Sequence, residues 1–120
     1  MLCLRVAATV AARRASFSSM APPVVTRKYL LLYDYVPDIL EKRDDHRPAH
    51  FELVQHEAKA GRLEQAGAFD NPVDGAAFVF QTNDKAQVEE FVRADPYYVA
   101  GLVTKYDIRE WTVAVRATDF

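Results

Sequence analysis

Two segments of this chain are apolar on both of their faces, and they limit the folds that it can adopt. Lys28–Tyr35 (KYLLLYDY) places Tyr and Leu side chains on one face and two further leucines on the other, and Ala76–Phe80 (AAFVF) has no polar side chain. A strand without a polar face must be covered on both sides, so both segments are predicted to be central strands of a sheet.

The segments around these strands predict the order β-α-β-β-α-β. Pro48 suits the first position of a helix and Gly61 suits the residue after its end, so a helix is predicted over Pro48–Ala60. Asp70–Gly75 (DNPVDG) is rich in turn formers and predicts a hairpin. The other predicted elements are a helical turn over Asp38–Asp45, a strand over Arg62–Phe69, a helix from Asn83 or Asp84 to Ala94 and a strand over Thr104–Val115.

This order favours an α+β fold with a ferredoxin-like antiparallel sheet, in which the first and third strands are the inner pair. On the long helix, Phe51, Val54 and Ala58 are expected to pack as one stripe. Two helices can cover only one face of the sheet. The apolar residues of the opposite face are therefore expected to be buried by a second copy of the chain, in a two-fold homodimer.

The N-terminal segment differs in composition from the rest of the chain. Residues 1–24 contain three arginines and many Ser and Ala, whereas all 17 acidic side chains lie at Asp34 or later. This bias is typical of organelle transit peptides, so residues 1–24 are predicted to be a mitochondrial transit peptide and linker, residues 25–116 the folded domain and residues 117–120 a C-terminal tail. The alternative is a disordered tail that carries no targeting signal. Met20 is a second candidate start of translation, and a chain that begins there would be cytoplasmic.

Charge and cysteine content exclude several classes of function. Without residues 1–24 the chain has 12 Lys and Arg against 17 Asp and Glu, a net charge of −5, which argues against a nucleic-acid partner. No apolar run approaches the ~20 residues of a membrane span, so no membrane partner is predicted. The single cysteine, Cys3, lies in the N-terminal segment, which excludes disulfides, thiolate catalysis and cysteine-bound zinc from the folded domain.

One histidine and one aspartate stand out as candidates for chemistry. His50 ends the motif Arg47-Pro48-Ala49-His50 at the start of the long helix, and Asp95 begins the motif Asp95-Pro96-Tyr97 after the second helix. A carboxylate bound to one imidazole nitrogen fixes the tautomer and leaves the other nitrogen free as a base. His50 and Asp95 are therefore candidate catalytic residues if the fold brings them together. Arg47, on nearly the same helix face as His50, is a candidate to bind an anionic group of a substrate.

Other candidate sites have weaker support. His46 and His50 are four residues apart, as metal ligands on one helix would be, but Pro48 disfavours a continuous helix between them, and no metal site is predicted. No carboxylate pair stands out, the four glycines form no phosphate-binding loop, and no cofactor is predicted. Tyr97 is a candidate to line a substrate pocket, although core packing is the commoner role of a buried aromatic residue.

The same motifs carry a resemblance to a known family. The run LEKRDDHRPAHFELVQHEAKAGRLEQAGAF, followed by DGAAFVF, ADPYYVAGL and IREWTV, resembles the YciI-like (YCII-related) proteins over nearly the whole predicted domain. The resemblance implies a ferredoxin-like, dimeric α+β barrel whose active site contains His50 and Asp95, with Arg47 as a pocket cation. The family usually has Ala-Gly-Pro where this chain has Ala66-Gly67-Ala68, so the loop over the pocket is expected to differ.

Three functions are compatible with these residues. The first is a small-molecule lyase or isomerase of undefined substrate that uses His50 and Asp95 for proton transfer. The second is a non-catalytic module that binds a small molecule in the same pocket. The third is an interaction protein of the same fold in which the dimer matters and the pocket is vestigial.

Overall fold

Four strands form one antiparallel sheet in the computed structural model, which describes residues 26–120. The strands are β1 (Thr26–Tyr35), β2 (Leu63–Ala68), β3 (Gly75–Phe80) and β4 (Val103–Val113). Their order across the sheet is β2-β3-β1-β4, so the two segments with apolar residues on both faces are the inner strands, as predicted. The fold is α+β and ferredoxin-like, which confirms the predicted class.

The helices lie in two connections, two between β1 and β2 and two between β3 and β4. They are α1 (Ile39–Lys42), α2 (Arg47–Lys59), α3 (Lys85–Ala94) and α4 (Pro96–Val99), followed after β4 by a 3-10 turn at Ala117–Asp119. Asp84 caps α3, because its side chain accepts a hydrogen bond from the Ala86 backbone N–H at 2.9 Å. None of the helices in residues 26–120 has the length and apolarity needed to span a membrane.

The core lies between the sheet and α3. Leu31 and Tyr33 of β1 and Phe78 and Phe80 of β3 alternate toward the helices, and all four are buried. The predicted inner face of α3 is confirmed, since Val88, Phe91 and Val92 close over these side chains. Each fully buried apolar side chain contributes about 1.5–3 kcal/mol to folding.

The opposite sheet face carries the remaining apolar residues of the inner strands. Leu30 lies opposite Val79, and Leu32 lies opposite Ala77. Leu30, Leu32 and Ala77 are only half-buried, because no helix covers this side. Burial of this face by a second subunit stays a prediction.

The prediction that Phe51, Val54 and Ala58 pack as one stripe on α2 is wrong. Phe51 is 44 % exposed and Ala58 is also exposed, whereas Val54 is half-buried and His50 is the buried residue of the helix. The helix packs against the edge strand β2 and against α4. In the segment Ala66–Ala68, β2 offers only two alanines and a glycine, so the facing side chains of α2 have little to pack against. The result is a cleft between α2 and β2.

Gly75 begins β3 at a point where a side chain has no room. A Cβ at this position would overlap the backbone carbonyl oxygen of Tyr33 on the neighbouring strand. The glycine therefore allows the close approach of β3 to β1 at the end of the hairpin. Residues 1–24, predicted as a transit peptide and linker, lie outside the described residues.

Candidate functional site

Asp95 occupies the junction between α3 and α4. The helix α3 ends at Ala94, and Pro96 starts α4, because proline at the first helical position loses no hydrogen bond. The Asp95 side chain caps the new helix by accepting a hydrogen bond from the Tyr97 backbone N–H at 3.0 Å. The local sequence Asp-Pro-Tyr thus turns the carboxylate inward, where its exposure is 0%.

Three donors converge on this buried carboxylate. Oδ1 lies 2.7 Å from Nδ1 of His50 and also accepts the Tyr97 N–H, while Oδ2 accepts the hydroxyl of Tyr33 at 2.8 Å. Burial, followed by the charge of Asp95 and the hydrogen bond to it, raises the pKa of Tyr33 above its usual range. Tyr33 therefore remains protonated at physiological pH and donates to Asp95. The carboxylate is held rigidly by groups from three separate parts of the chain.

His50 is oriented by Asp95 and by aromatic rings. It lies in the first turn of α2, is 6% exposed, and stacks on the Tyr97 ring with centroids 3.9 Å apart and planes 4° apart. Because a carboxylate only accepts hydrogen bonds, the contact with Asp95 places the hydrogen of a neutral imidazole on Nδ1. Nε2 then carries the free lone pair, and among the described residues it has no hydrogen-bond partner. This arrangement is that of a general base with an orienting carboxylate.

The cleft between α2 and β2 gives a ligand access to His50. Its volume is about 140 Å³, which is close to the volume of about 150 Å³ at which an apolar protein cavity holds benzene. A compound with one six-membered ring is therefore of suitable size. The lining residues are Tyr35, Arg43, Arg47, His50, Phe51, Val54, Ala66, Gly67, Ala68, Ala76, Phe78 and Tyr97.

Two arginines make the cleft electropositive. Arg47, predicted from its spacing to His50, lines the cleft but is exposed, and its guanidinium carbon lies 5.2 Å from the centroid of the Phe51 ring. Arg43, which lies just after α1, lines the cleft as well. Burial raises the pKa of Tyr97; the positive charges of Arg43 and Arg47 oppose that rise, and the charges of Asp95 and Asp44 add to it. Both arginines thus line the same cleft as Tyr97.

Three of the four predicted site residues, Arg47, His50 and Tyr97, line one cleft. Asp95 does not line it: the carboxylate is fully buried and lies in direct contact with His50, at the hydrogen-bonding distance expected of the pair. Their roles in catalysis and substrate binding stay predictions. Among residues 26–120, no group of three or more His, Cys, Asp and Glu side chains is placed to hold a metal ion.

Two polar groups of the site, the hydroxyl of Tyr33 and the guanidinium of Arg43, were not predicted from the sequence. Tyr33 resembles an ordinary core residue of an apolar strand, although its hydroxyl would need a buried partner, which is a signal for a nearby acceptor. Arg43 stands in the charged run Glu41–Asp45, which resembles a solvated surface turn. Nothing in that run indicates that one of its cations is turned into a cleft.

The comparisons with known proteins agree with this architecture. The sequence model of the YCII-related domain matches residues 27–112. Among curated proteins, none matches the chain. A similar solved structure is the 5-chloro-2-hydroxyhydroquinone dehydrochlorinase of Burkholderia phenoliruptrix AC1100 in complex with 2,5-dihydroxybenzoquinone, with a TM-score of 0.62 and 21% sequence identity over 70% of this chain and 92% of that chain. At this identity the likeness shows the fold.

Proposed function

Because this chain belongs to the YCII-related domain family, we propose that it is a small-molecule enzyme of the lyase or isomerase type in which His50 transfers a proton. The observation that supports this proposal most is the 2.7 Å contact between His50 Nδ1 and the fully buried Asp95. The three donors on Asp95 fix the carboxylate, and through it the tautomer and the orientation of the imidazole, which are the properties that a general base requires.

The proposed reaction begins with proton abstraction by Nε2. The base takes a proton from a substrate carbon next to a carbonyl, or from a hydroxyl, and the electron pair of that bond moves into the substrate. In an elimination, the electrons expel a leaving group as an anion; in an isomerisation, the imidazolium returns the proton to another atom. Asp95 stabilises the imidazolium formed in the first step, and Tyr33 and the Tyr97 N–H hold Asp95 in place.

The size of the cleft and the structural neighbour support a small cyclic substrate. The volume of about 140 Å³ fits one six-membered ring, and the aromatic side chains of Tyr35, Phe78 and Tyr97 line the cleft. The neighbour of the same fold is named as a dehydrochlorinase of a hydroxylated ring and binds a dihydroxybenzoquinone. Loss of HCl from a ring is an elimination, which is a reaction that a positioned base assists.

A turnover screen with matched variants tests this proposal. The purified protein is incubated with small enolisable acids and with chlorinated and non-chlorinated hydroquinols, and chloride release and ultraviolet spectra are followed. His50→Gln and Asp95→Asn are each expected to lower kcat by about 10²–10⁴-fold, as loss of a general base or of its correct tautomer does. His56→Gln, an exposed histidine of the same helix, is the control and should retain the wild-type rate.

The screen also separates catalysis from binding alone. A compound that binds in the cleft and is recovered unchanged, with no turnover across the panel, would contradict the enzyme proposal. It would support a non-catalytic binding module in its place. Retained activity in His50→Gln would instead show that another group transfers the proton.

A further inference from the structure

We propose that Arg43, rather than Arg47, is the principal anion-binding residue of the cleft, and that the ligand is a one-ring compound with a planar oxyanion group such as a carboxylate. The inference rests on the proposed function only for the location of the substrate, because both residues line the cleft that contains His50. It adds the chemical class of the ligand and a binding residue that the sequence did not indicate.

The first observation is the state of the Arg43 side chain. Its Nε has practically no contact with solvent, and among the non-exposed residues of 26–120 it is the one such side-chain nitrogen or oxygen atom without a hydrogen-bond partner. A guanidinium N–H removed from water without an acceptor is unfavourable, so the protein itself compensates the charge of Arg43 only in part. The Arg43 side chain also forms no ion pair within the described part of the chain, although Asp44 and Asp45 follow it directly.

The second observation is the contrast with Arg47. The Arg47 side chain is exposed and its guanidinium lies over the Phe51 ring, so water screens its charge. A cation with a desolvated N–H interacts more strongly with an anion than an exposed cation does. Of the two arginines, Arg43 therefore gains more from a bound oxyanion.

The third observation is the shape of the site. A guanidinium presents paired N–H groups in one plane, and such a pair matches the two oxygens of a carboxylate. Arg43 lines the cleft together with His50 and the aromatic side chains. Because its Nε is closed to solvent, an oxyanion in the cleft is expected to meet the two Nη nitrogens, while the ring of the ligand packs on the aromatic residues.

Equilibrium binding of benzoate and of benzamide tests this inference without turnover. The two probes share ring and size and differ in charge. We expect benzoate to bind the wild-type protein at least tenfold more tightly than benzamide, because a hydrogen bond to a charged group contributes about that factor or more. Titration calorimetry or ligand-observed NMR gives both dissociation constants.

Variants identify the residue that is responsible for the tighter binding of benzoate. Arg43→Gln is expected to weaken benzoate binding at least about tenfold and to leave benzamide binding unchanged, whereas Arg47→Gln should weaken benzoate binding less. Arg93→Gln, which removes an exposed arginine of α3, is the control for loss of net positive charge and should match the wild type. Circular dichroism of each variant establishes that it is folded. If Arg43→Gln is not folded, Arg43→Lys replaces it in the binding experiment. Lysine keeps the charge but lacks the planar pair of N–H groups, so this variant should still bind benzoate more weakly than the wild type.

Two outcomes would overturn the inference. Equal binding of benzoate and benzamide would mean that the cleft does not select an oxyanion. A larger loss in Arg47→Gln than in Arg43→Gln would assign the anion to Arg47. The test is separable from the proposed function because it measures binding without turnover: failure of the turnover screen leaves benzoate selectivity intact, and failure of benzoate selectivity leaves turnover of neutral substrates unaffected.

Discussion

Replacement of Asp95 by alanine should destabilise the fold as well as remove the orienting carboxylate. The side chain caps α4 through the Tyr97 N–H, and loss of a helix N-cap costs about 1 kcal/mol. It is also the acceptor for the hydroxyl of Tyr33, which has 0% exposure, and an unsatisfied buried hydroxyl costs about 1–3 kcal/mol. With the loss of the His50 contact, we expect Asp95→Ala to lower the free energy of unfolding by about 3–5 kcal/mol.

Asparagine at the same position should be milder. Asn caps a helix about as well as Asp, and its amide oxygen can accept one of the two side-chain hydrogen bonds. We expect Asp95→Asn to lower the free energy of unfolding by about 1–2 kcal/mol. Urea unfolding followed by circular dichroism at one fixed protein concentration gives both values, because the stability of a dimer would depend on concentration.

A double-mutant cycle with Tyr33→Phe isolates the hydroxyl contribution. In the wild type, Tyr33→Phe removes a hydrogen bond to a buried carboxylate; in Asp95→Ala, it removes a hydroxyl that has already lost its acceptor. The coupling energy should therefore be about 1–3 kcal/mol. A coupling below about 0.5 kcal/mol would refute the reasoning. So would an Asp95→Ala variant more stable than the wild type, since the cost of burying the carboxylate would then exceed the contribution of its hydrogen bonds.

Four further outcomes are expected. Leu31→Ala, at a core position with 0% exposure, should lower the free energy of unfolding by about 2–5 kcal/mol in urea titrations, and a loss under about 1 kcal/mol would mean that the core collapses around the cavity. Gly75→Ala should lower the melting temperature, because the added Cβ overlaps the Tyr33 carbonyl; an unchanged melting temperature would show that β3 shifts freely. The folded domain should elute as a dimer in size-exclusion chromatography with light scattering, and a stable monomer at micromolar concentration would contradict burial of the Leu30 and Leu32 face by a second subunit. A fluorescent reporter fused to residues 1–25 should enter mitochondria, whereas a diffuse cytosolic signal would contradict the transit peptide and favour a start at Met20.

The sequence by itself determined the four strands, the two longer helices and the central place of two strands in the sheet. A strand that is apolar on both faces must be covered on both sides, so Lys28–Tyr35 and Ala76–Phe80 identified β1 and β3 without any knowledge of contacts. Capping chemistry is equally local: Asp84 and the pair Asp95-Pro96 set helix boundaries through backbone groups within two residues. These features depend on neighbours in the chain, which a single sequence displays directly.

Only the tertiary structure decided which side chains are in contact at the candidate site. His50 and Asp95 are 45 residues apart, and Tyr33 and Asp95 are 62 apart, so their contacts depend on how α2 and the α3–α4 junction dock on the sheet. The apolar pattern of α2 predicted a packed stripe, but the facing segment Ala66–Ala68 is too small to fill the space, and a cleft forms in its place. Whether the charge of Arg43 faces water or the cleft is settled by that docking, since a run of charged residues has the same local pattern in either case.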